Sequence, residues 1–280
     1  SSRYFFSECN RQGILHRAFG VEVDGLEKAH LILRNFSLDK KLWRQKFYLD
    51  IKYYHLLSKS IVKCLTQEDL NCTLFQIGAI YNLRALLPST SRVFSYHDGN
   101  LAQAIKSPNF PKKISDIKIR EALEYERHVY EQVDKIFTMS EYLKYSFIND
   151  FGIEEKKIKV IGAGINLDVI PEIADKDYRK KNIVFIGADF YRKGGMNLLH
   201  AFKFVRDVYP QARLHIIGPH NLSIPSEYAQ GVVCFGFLSK NKLTDKIKFE
   251  QVMNDSTIFV LPSTYEPFGI APLEAMAYEI

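Results

Sequence analysis

Two stretches carry charged residues at the point where an apolar run gives way to a helical pattern. In the first, Ile183–Ile186 is followed by Gly187-Ala188-Asp189-Phe190-Tyr191-Arg192-Lys193-Gly194-Gly195. Adjacent cations in a glycine-bearing loop at a helix start suit an anion, because the first N–H groups of a helix are unpaired and mark its positive dipole end. Arg192 offers a planar fork to phosphate oxygens and Lys193 a compact charge, so a diphosphate is the natural guest. An exposed basic loop is the plainer alternative. In the second stretch, Leu261 is followed by Pro262-Ser263-Thr264-Tyr265-Glu266-Pro267-Phe268-Gly269-Ile270, and then by Ala271–Ala277. Glu266 lies in the loop and Glu274 about a turn and a half into the helix. Paired carboxylates accept hydroxyl hydrogens and suit vicinal diols. Between them the N–H groups of Phe268, Gly269 and Ile270 face the dipole end, and Gly269 leaves room for close backbone approach. An acidic first turn is the plainer reading for Glu266. It explains less for Glu274, set among Leu273, Ala275, Met276 and Ala277.

The elements that would position these residues alternate. Residues 1–35 are ambiguous. Leu42–Leu65 has helical spacing (Phe47, Ile51, Tyr54, Leu57, Ile61, Leu65). Cys72–Ile77 and Val93–Tyr96 are expected as short buried strands, Ile117–Val133 as a helix and Lys135–Met139 as a strand. Ser140 is expected to cap a helix over Glu141–Asn149, and Gly152 to stop it. Lys157–Ile161 is the next strand. The alternation restarts with strands at Ile183–Ile186, Arg213–Ile217, Val232–Phe235 and Thr257–Leu261, and helices at Gly195–Tyr209, Leu243–Met253 and Gly269–Ala277. Apolar strands alternating with amphipathic helices mean parallel sheets covered on both faces. The expectation is an α/β chain of two Rossmann-like domains facing across a cleft: residues 1–166, a linker over 167–181 holding the charge cluster Asp175–Lys181, and residues 182–280. Ligands of such sheets bind beyond the carboxyl ends of the strands, where both charged stretches stand.

The 280 residues are 46% hydrophobic and 25% charged, a soluble globular balance. The 16 Tyr and 20 Phe imply a ring-filled core. No apolar run approaches the ~20 residues of a membrane-spanning helix, and Ser1–Arg17 has no long apolar stretch of the kind a secretory leader needs. A net charge of +6 fits an anionic ligand or membrane surface, or simply a solvated basic surface. Cys9, Cys64, Cys72 and Cys234 lack CxxC spacing, and reduced, mostly buried thiols of a cytoplasmic protein are expected. The chain begins without Met and stops just past a helical pattern, as a piece of a longer chain would.

Phe259-Val260-Leu261-Pro262-Ser263, then Tyr265–Ile270, then Leu273-Glu274-Ala275-Met276-Ala277 closely resemble the donor-site signature of glycosyltransferase family 4, the retaining GT-B enzymes. Gly187, Arg192-Lys193-Gly194, Ala201-Phe202, Leu214–Gly218 and Phe235-Gly236 fit the same pattern in order. Thr138–Tyr142 is similar to the family's strand-to-helix turn. Ile158–Asp168 is similar to its interdomain junction, although Pro-Asn-Gly-Val-Asp is more usual there. The resemblance implies a GT-B fold with an acceptor-side first domain and a donor-binding second one. It implies that Arg192, Lys193, Gly269 and Ile270 hold a donor diphosphate, and that Glu266, Phe268 and Gly269 hold the donor sugar. Glu274 would hold the ribose, and Gly236, Phe237 and Leu238 would border the base. His97, at a strand end in Tyr96-His97-Asp98-Gly99, resembles the acceptor-side histidine that faces the sugar; with Glu266 it is the candidate catalytic residue.

The implied reaction is hexosyl transfer from a nucleoside-diphosphate sugar to an acceptor hydroxyl of a polysaccharide, a lipid-linked saccharide or a small molecule. Two cations and a helix terminus would supply the positive charge, so no metal and no cofactor is expected, and no nucleic-acid partner. The basic, aromatic stretch Lys40–Lys63 fits either a peripheral membrane contact or a solvated helix face. Two other readings stand beside this one. A non-catalytic nucleotide-sugar or carbohydrate-binding fragment is the first. An NAD-type Rossmann enzyme is the second, supported only by Gly162-Ala163-Gly164, which lacks the third glycine of that fingerprint.

Overall fold

The computed structural model describes residues 2–173 and 176–280; Ser1, Ala174 and the Asp175 that opens the charge cluster lie outside the described residues. The chain divides into two compact units, Ser2–Ala163 and Gly164–Ile280, and residues 164–181 group with the second.

The first unit begins with helices α1 (Ser2–Arg11), α2 (Gly25–Arg34), α3 (Lys40–Tyr48), α4 (Ile51–Cys64) and α5 (Gln67–Leu70). Strands β1 (Thr73–Ile77), β2 (Arg92–His97), β3 (Lys135–Thr138) and β4 (Ile158–Val160) then form one parallel sheet in the order β1-β2-β3-β4. The connections carry α6 (Leu101–Ile105), α7 (Asp116–Gln132) and α8 (Glu141–Phe151). Val93, Ile136 and Ile158 point from the strands into a core with Val129, Tyr130, Leu143, Phe147 and Phe151 of α7 and α8. On the other face Phe5 of α1 stacks on Phe75 at 5.4 Å, and Phe75 lies 6.0 Å from Phe137. Ser140 accepts from the Leu143 N–H at 3.1 Å, and Gly152 ends α8 at φ 72°. β1 is less buried than a buried-strand reading requires: only Gln76 is fully enclosed there.

The single helix expected over Leu42–Leu65 is two helices, broken at Leu49-Asp50. Asp50 accepts from the Lys52 N–H and caps α4. Its buried carboxylate also takes Asn35 Nδ2 at 2.7 Å and faces Arg34 and Lys118. The polar partners of one buried acid thus outweigh an unbroken apolar spacing.

Glu126 on α7 accepts from the Leu101 N–H at 3.0 Å and from Tyr130 Oη at 2.9 Å, tying α7 to the start of α6. Burial pushes its carboxyl up to about 7. A raised acid favours the folded state while protonated, so its contribution is lost as pH climbs from 4.5 towards 7. Glu126→Gln, which keeps both acceptor contacts, should therefore raise Tm by several degrees at pH 8 and leave it nearly unchanged at pH 5, a difference that thermal melts at the two pH values would read.

The second unit is built from β5 (Asn182–Ile186), α9 (Gly195–Val208), β6 (Arg213–Ile217), β7 (Val232–Gly236), α10 (Leu243–Asp255), β8 (Ile258–Phe259) and α11 (Ile270–Ala277). Its sheet is parallel, in the order β7-β6-β5-β8. Alternate residues of β5 face opposite layers. Ile183 and Phe185 pack on Leu198, Leu199 and Phe202 of α9. Val184 packs with Phe249, Val252 and Met253 of α10 and with Ala275 of α11. That two-sided burial is why the strand is a continuous apolar run.

The four cysteines are free, but none is buried: Cys64 and Cys234 are exposed and Cys9 and Cys72 half-buried. The expectation of mostly buried thiols is corrected, because Cys64 and Cys72 sit at element ends and Cys234 lies on the edge strand β7.

Candidate functional site

Strand order in the second sheet reverses at β5. From β5 the chain moves outward to β6 and β7, then returns to add β8 on the opposite side. The loops after β5 and β8 therefore flank a topological switch point, where crossovers leave opposite faces and open a crevice. Both charged stretches are these two loops.

The loops touch. Gly194 sits at φ 77°, and a Cβ there would fall 2.0 Å from the Pro262 carbonyl oxygen. At Gly187 a Cβ would lie 2.5 Å from Lys193 Cδ, so the lysine side chain crosses close over the strand end. Lys193 Nζ then lies 2.7 Å from Glu266 Oε2, and Ser263 Oγ reaches the same oxygen at 3.4 Å. Arg192 donates from Nη1 to the Tyr265 carbonyl at 3.2 Å and pairs through Nε with Asp189 at 3.3 Å. The structure thus brings Arg192, Lys193 and Glu266 into one cluster. Each cation already faces a carboxylate, so an anion binding here exchanges partners rather than meeting bare charge.

α11 begins with Gly269 as N-cap, and no side chain caps it. Its opening N–H groups, those of Ile270 and Ala271, stand at the positive end of the helix. Phe268 and Gly269 are half-buried in the approach. α9 likewise opens without a side-chain cap, after Gly194. Glu274 is 4% exposed and pairs with Lys240 at 2.7 Å. Gly236 ends β7 at φ 69°; next to it Phe237 is exposed and Leu238 packs on the core beneath α10.

His97 ends β2 in the first unit, as expected from its position, but its ring is enclosed. It is 2% exposed and lies edge-on to Tyr130 and Phe147, with ring centroids 5.3 and 5.2 Å away. Nε2 has no hydrogen-bond partner among the described residues. Burial holds the imidazole down at about 3, so it is neutral at physiological pH. Such a ring can hydrogen-bond but is not poised to shuttle protons.

Three residues of the second unit that pair with the expected site residues carried no signal in the sequence: Asp189 and Ser263 beside the cluster, and Lys240 on Glu274. Lys240 stands in a lysine-rich stretch with Lys242, Lys246 and Lys248, whose spacing is that of a solvated surface. Gly162-Ala163-Gly164 follows β4, but no helix opens after it, and the Gly162 carbonyl accepts from Tyr96 Oη at 2.6 Å. The strand–turn–helix setting of a dinucleotide fingerprint is missing there.

The sequence pattern described as Glycosyltransferase Family 4 matches residues 23–169, more than half of the 280. The chain belongs to this family. A second pattern, Glycosyl transferases group 1, matches residues 168–280. An uncharacterized glycosyltransferase of Methanocaldococcus jannaschii is 32% identical over 181 residues, 58% of this chain and 44% of its own length. Mannosylfructose-phosphate synthase of Agrobacterium fabrum is 24% identical over 197 residues, 60% of this chain and 42% of its own length. The chain thus spans less than half the length of these relatives. Among solved structures, sucrose-phosphate synthase of Thermosynechococcus elongatus superposes with a TM-score of 0.60 at 15% identity, covering 81% of this chain and 58% of that one. A Staphylococcus aureus TarM mutant, solved with fondaparinux, alpha-GlcNAc-glycerol and UDP, gives a TM-score of 0.54 at 14% identity over 81% of this chain and 43% of that one. These likenesses show the GT-B fold, with its Rossmann-like sheets.

Proposed function

We propose that this family 4 chain carries the donor site of an enzyme that moves a sugar from a nucleoside-diphosphate sugar to an acceptor hydroxyl, with retention of anomeric configuration. The observation that carries the reading is the meeting of Arg192, Lys193 and Glu266 at the switch point, where Lys193 lies 2.7 Å from Glu266. As the bond to the anomeric carbon breaks, negative charge grows on the diphosphate and positive charge on the carbon. Arg192, Lys193 and the N–H groups opening α11 balance the first by fixed electrostatics. Glu266, released from Lys193 by the diphosphate, takes hydroxyls of the donor sugar. Glu274 takes the ribose, and the loop Gly236–Leu238 borders the base. His97, neutral and enclosed by Tyr130 and Phe147 in the first unit, has no proton-carrying role in this reading. The UDP bound by TarM belongs to the ligand class proposed.

The acceptor is proposed to be a carbohydrate or a lipid-linked saccharide. One surface favours work near a membrane. Among the described residues no helix is long and apolar enough to cross one. Yet the end of α2 and the turn into α3 expose Leu33, Phe36 and Leu38, close in sequence to Lys40, Lys41 and Arg44. Exposed apolar residues with cations nearby in the chain suit an anionic lipid surface. Co-sedimentation with phosphatidylserine vesicles should carry the wild-type chain into the pellet and leave a Phe36→Ser/Leu38→Ser variant in solution. Equal behaviour would remove this surface from the account.

The function is tested by incubating the full-length protein with UDP-, GDP- and ADP-sugars and measuring release of nucleoside diphosphate. Acceptor-dependent release from one of them is expected. Binding without turnover would favour a non-catalytic module, and stabilisation by NAD alone would favour the dehydrogenase class.

A further inference from the structure

Glu274 is the fifth residue of α11 and among the most enclosed charges of the second unit. A carboxylate at that depth needs a fixed partner. Lys240 supplies it, and the ammonium is engaged on three sides. It lies 2.7 Å from Glu274 Oε1, donates to the Asn166 carbonyl at 3.1 Å, and stands 4.6 Å over the Phe249 ring. These partners belong to α11, to the segment that leads into the second unit, and to α10. The other lysines of the stretch are different. Lys242 and Lys246 pair with Asp245 and Asp168, with side chains 69% and 37% exposed against 22% for Lys240. Lys240 is the lysine of this run that is folded into the site.

We infer that Lys240 is a positioning residue for nucleoside recognition, holding Glu274 in the orientation that a ribose diol requires. The inference rests on the reading of Glu274 as the ribose ligand. The geometry supports it in two ways. Lys240 takes one lone pair of Oε1, so Oε2 and the second lone pair of Oε1 remain for hydroxyl donors. Lys240 also lies only two residues beyond Leu238, so one short loop carries both the border of the base and the anchor of the ribose carboxylate. Base and ribose would then be read by a single rigid unit, and loosening Lys240 would weaken the nucleoside end of the donor while sparing the diphosphate end.

The test compares full-length wild type with Lys240→Met, and with Lys240→Arg to keep a charge at the position. Each is titrated with UDP, GDP, ADP and inorganic pyrophosphate, and each is assayed for donor KM and kcat. The expected result for Lys240→Met is at least tenfold weaker binding of whichever nucleotide the wild type prefers, and a matching rise in donor KM. Its kcat should stay within a few-fold and its pyrophosphate binding should be unchanged, with Lys240→Arg in between. If the methionine variant does not fold, the arginine variant carries the same comparison. Unchanged nucleotide affinity in a folded variant would overturn the inference. So would an equal loss for nucleotide and pyrophosphate, which would mark a purely structural lysine. A wild type that binds pyrophosphate but none of the three nucleotides would contradict the ribose reading of Glu274 itself.

Discussion

Replacing Arg192 and Lys193 together by alanine should lower sugar transfer by about a thousandfold or more while leaving the fold intact. A single preorganised group that balances developing charge is worth about a hundredfold to a thousandfold in turnover, and this variant removes two. Arg192 and Lys193 belong to a loop that is ordered by other means. Gly194 packs against the Pro262 carbonyl, Gly195 N–H bonds to Phe190 O at 2.8 Å, and Phe190 is buried under α9. The Arg192–Asp189 pair is partly solvated and worth little to stability. The Lys193–Glu266 pair is more enclosed, and its loss costs some stability without undoing the packing that orders the loop. Circular dichroism should be unchanged and Tm should fall only by a few degrees. Release of nucleoside diphosphate should fall to background. Normal turnover in a folded double variant would mean that the diphosphate is held elsewhere.

Glu274→Ala should act on both binding and stability. The nucleotide contact is lost, which at about 1.5–3 kcal/mol for a hydrogen bond to a charged group corresponds to roughly tenfold to a hundredfold in affinity. Lys240 is also left without its carboxylate in a half-buried place. Breaking a fully buried pair costs about 3–5 kcal/mol. Lys240 retains some solvent and the Asn166 carbonyl, so about 2 kcal/mol is a fair expectation after that discount. Glu274→Gln keeps the shape and an acceptor for Lys240. It should recover most of the Tm but not the nucleotide affinity. Calorimetric titration alongside thermal melts separates the two effects. If Glu274→Gln restored both, the carboxylate would be structural.

The second unit was the more legible from sequence. β5 is enclosed on both faces, so Ile183–Ile186 had to be apolar, and Gly194 marks where the loop after it meets the backbone at Pro262. The two charged loops follow the strands that flank the reversal of strand order, which a sequence pattern can place once the alternation is recognised. Ser140 and Gly152 were legible for a different reason: capping chemistry is local. What depended on distant partners was not legible. Asp50 breaks an apparently continuous helix because its neighbours are Asn35, Arg34 and Lys118. The spacing of Lys240 resembles that of any surface lysine, and only the fold shows it beside Glu274, 34 positions later. His97 could be placed at a strand end from its surroundings in sequence, but its enclosure by Tyr130 and Phe147 comes from helices that close over it. α2 was hard to place because part of its apolar surface stays exposed, as at Leu26 and Leu33.

The switch point between β5 and β8 is proposed to bind the diphosphate of a nucleotide. Calorimetric titration of UDP, GDP, ADP and NAD into the wild-type chain and into the Arg192→Ala/Lys193→Ala variant tests it most directly. Saturable binding of at least one nucleoside diphosphate to wild type, its loss in the variant, and no binding of NAD are expected. Binding of the nucleotide with equal affinity to both proteins would contradict it.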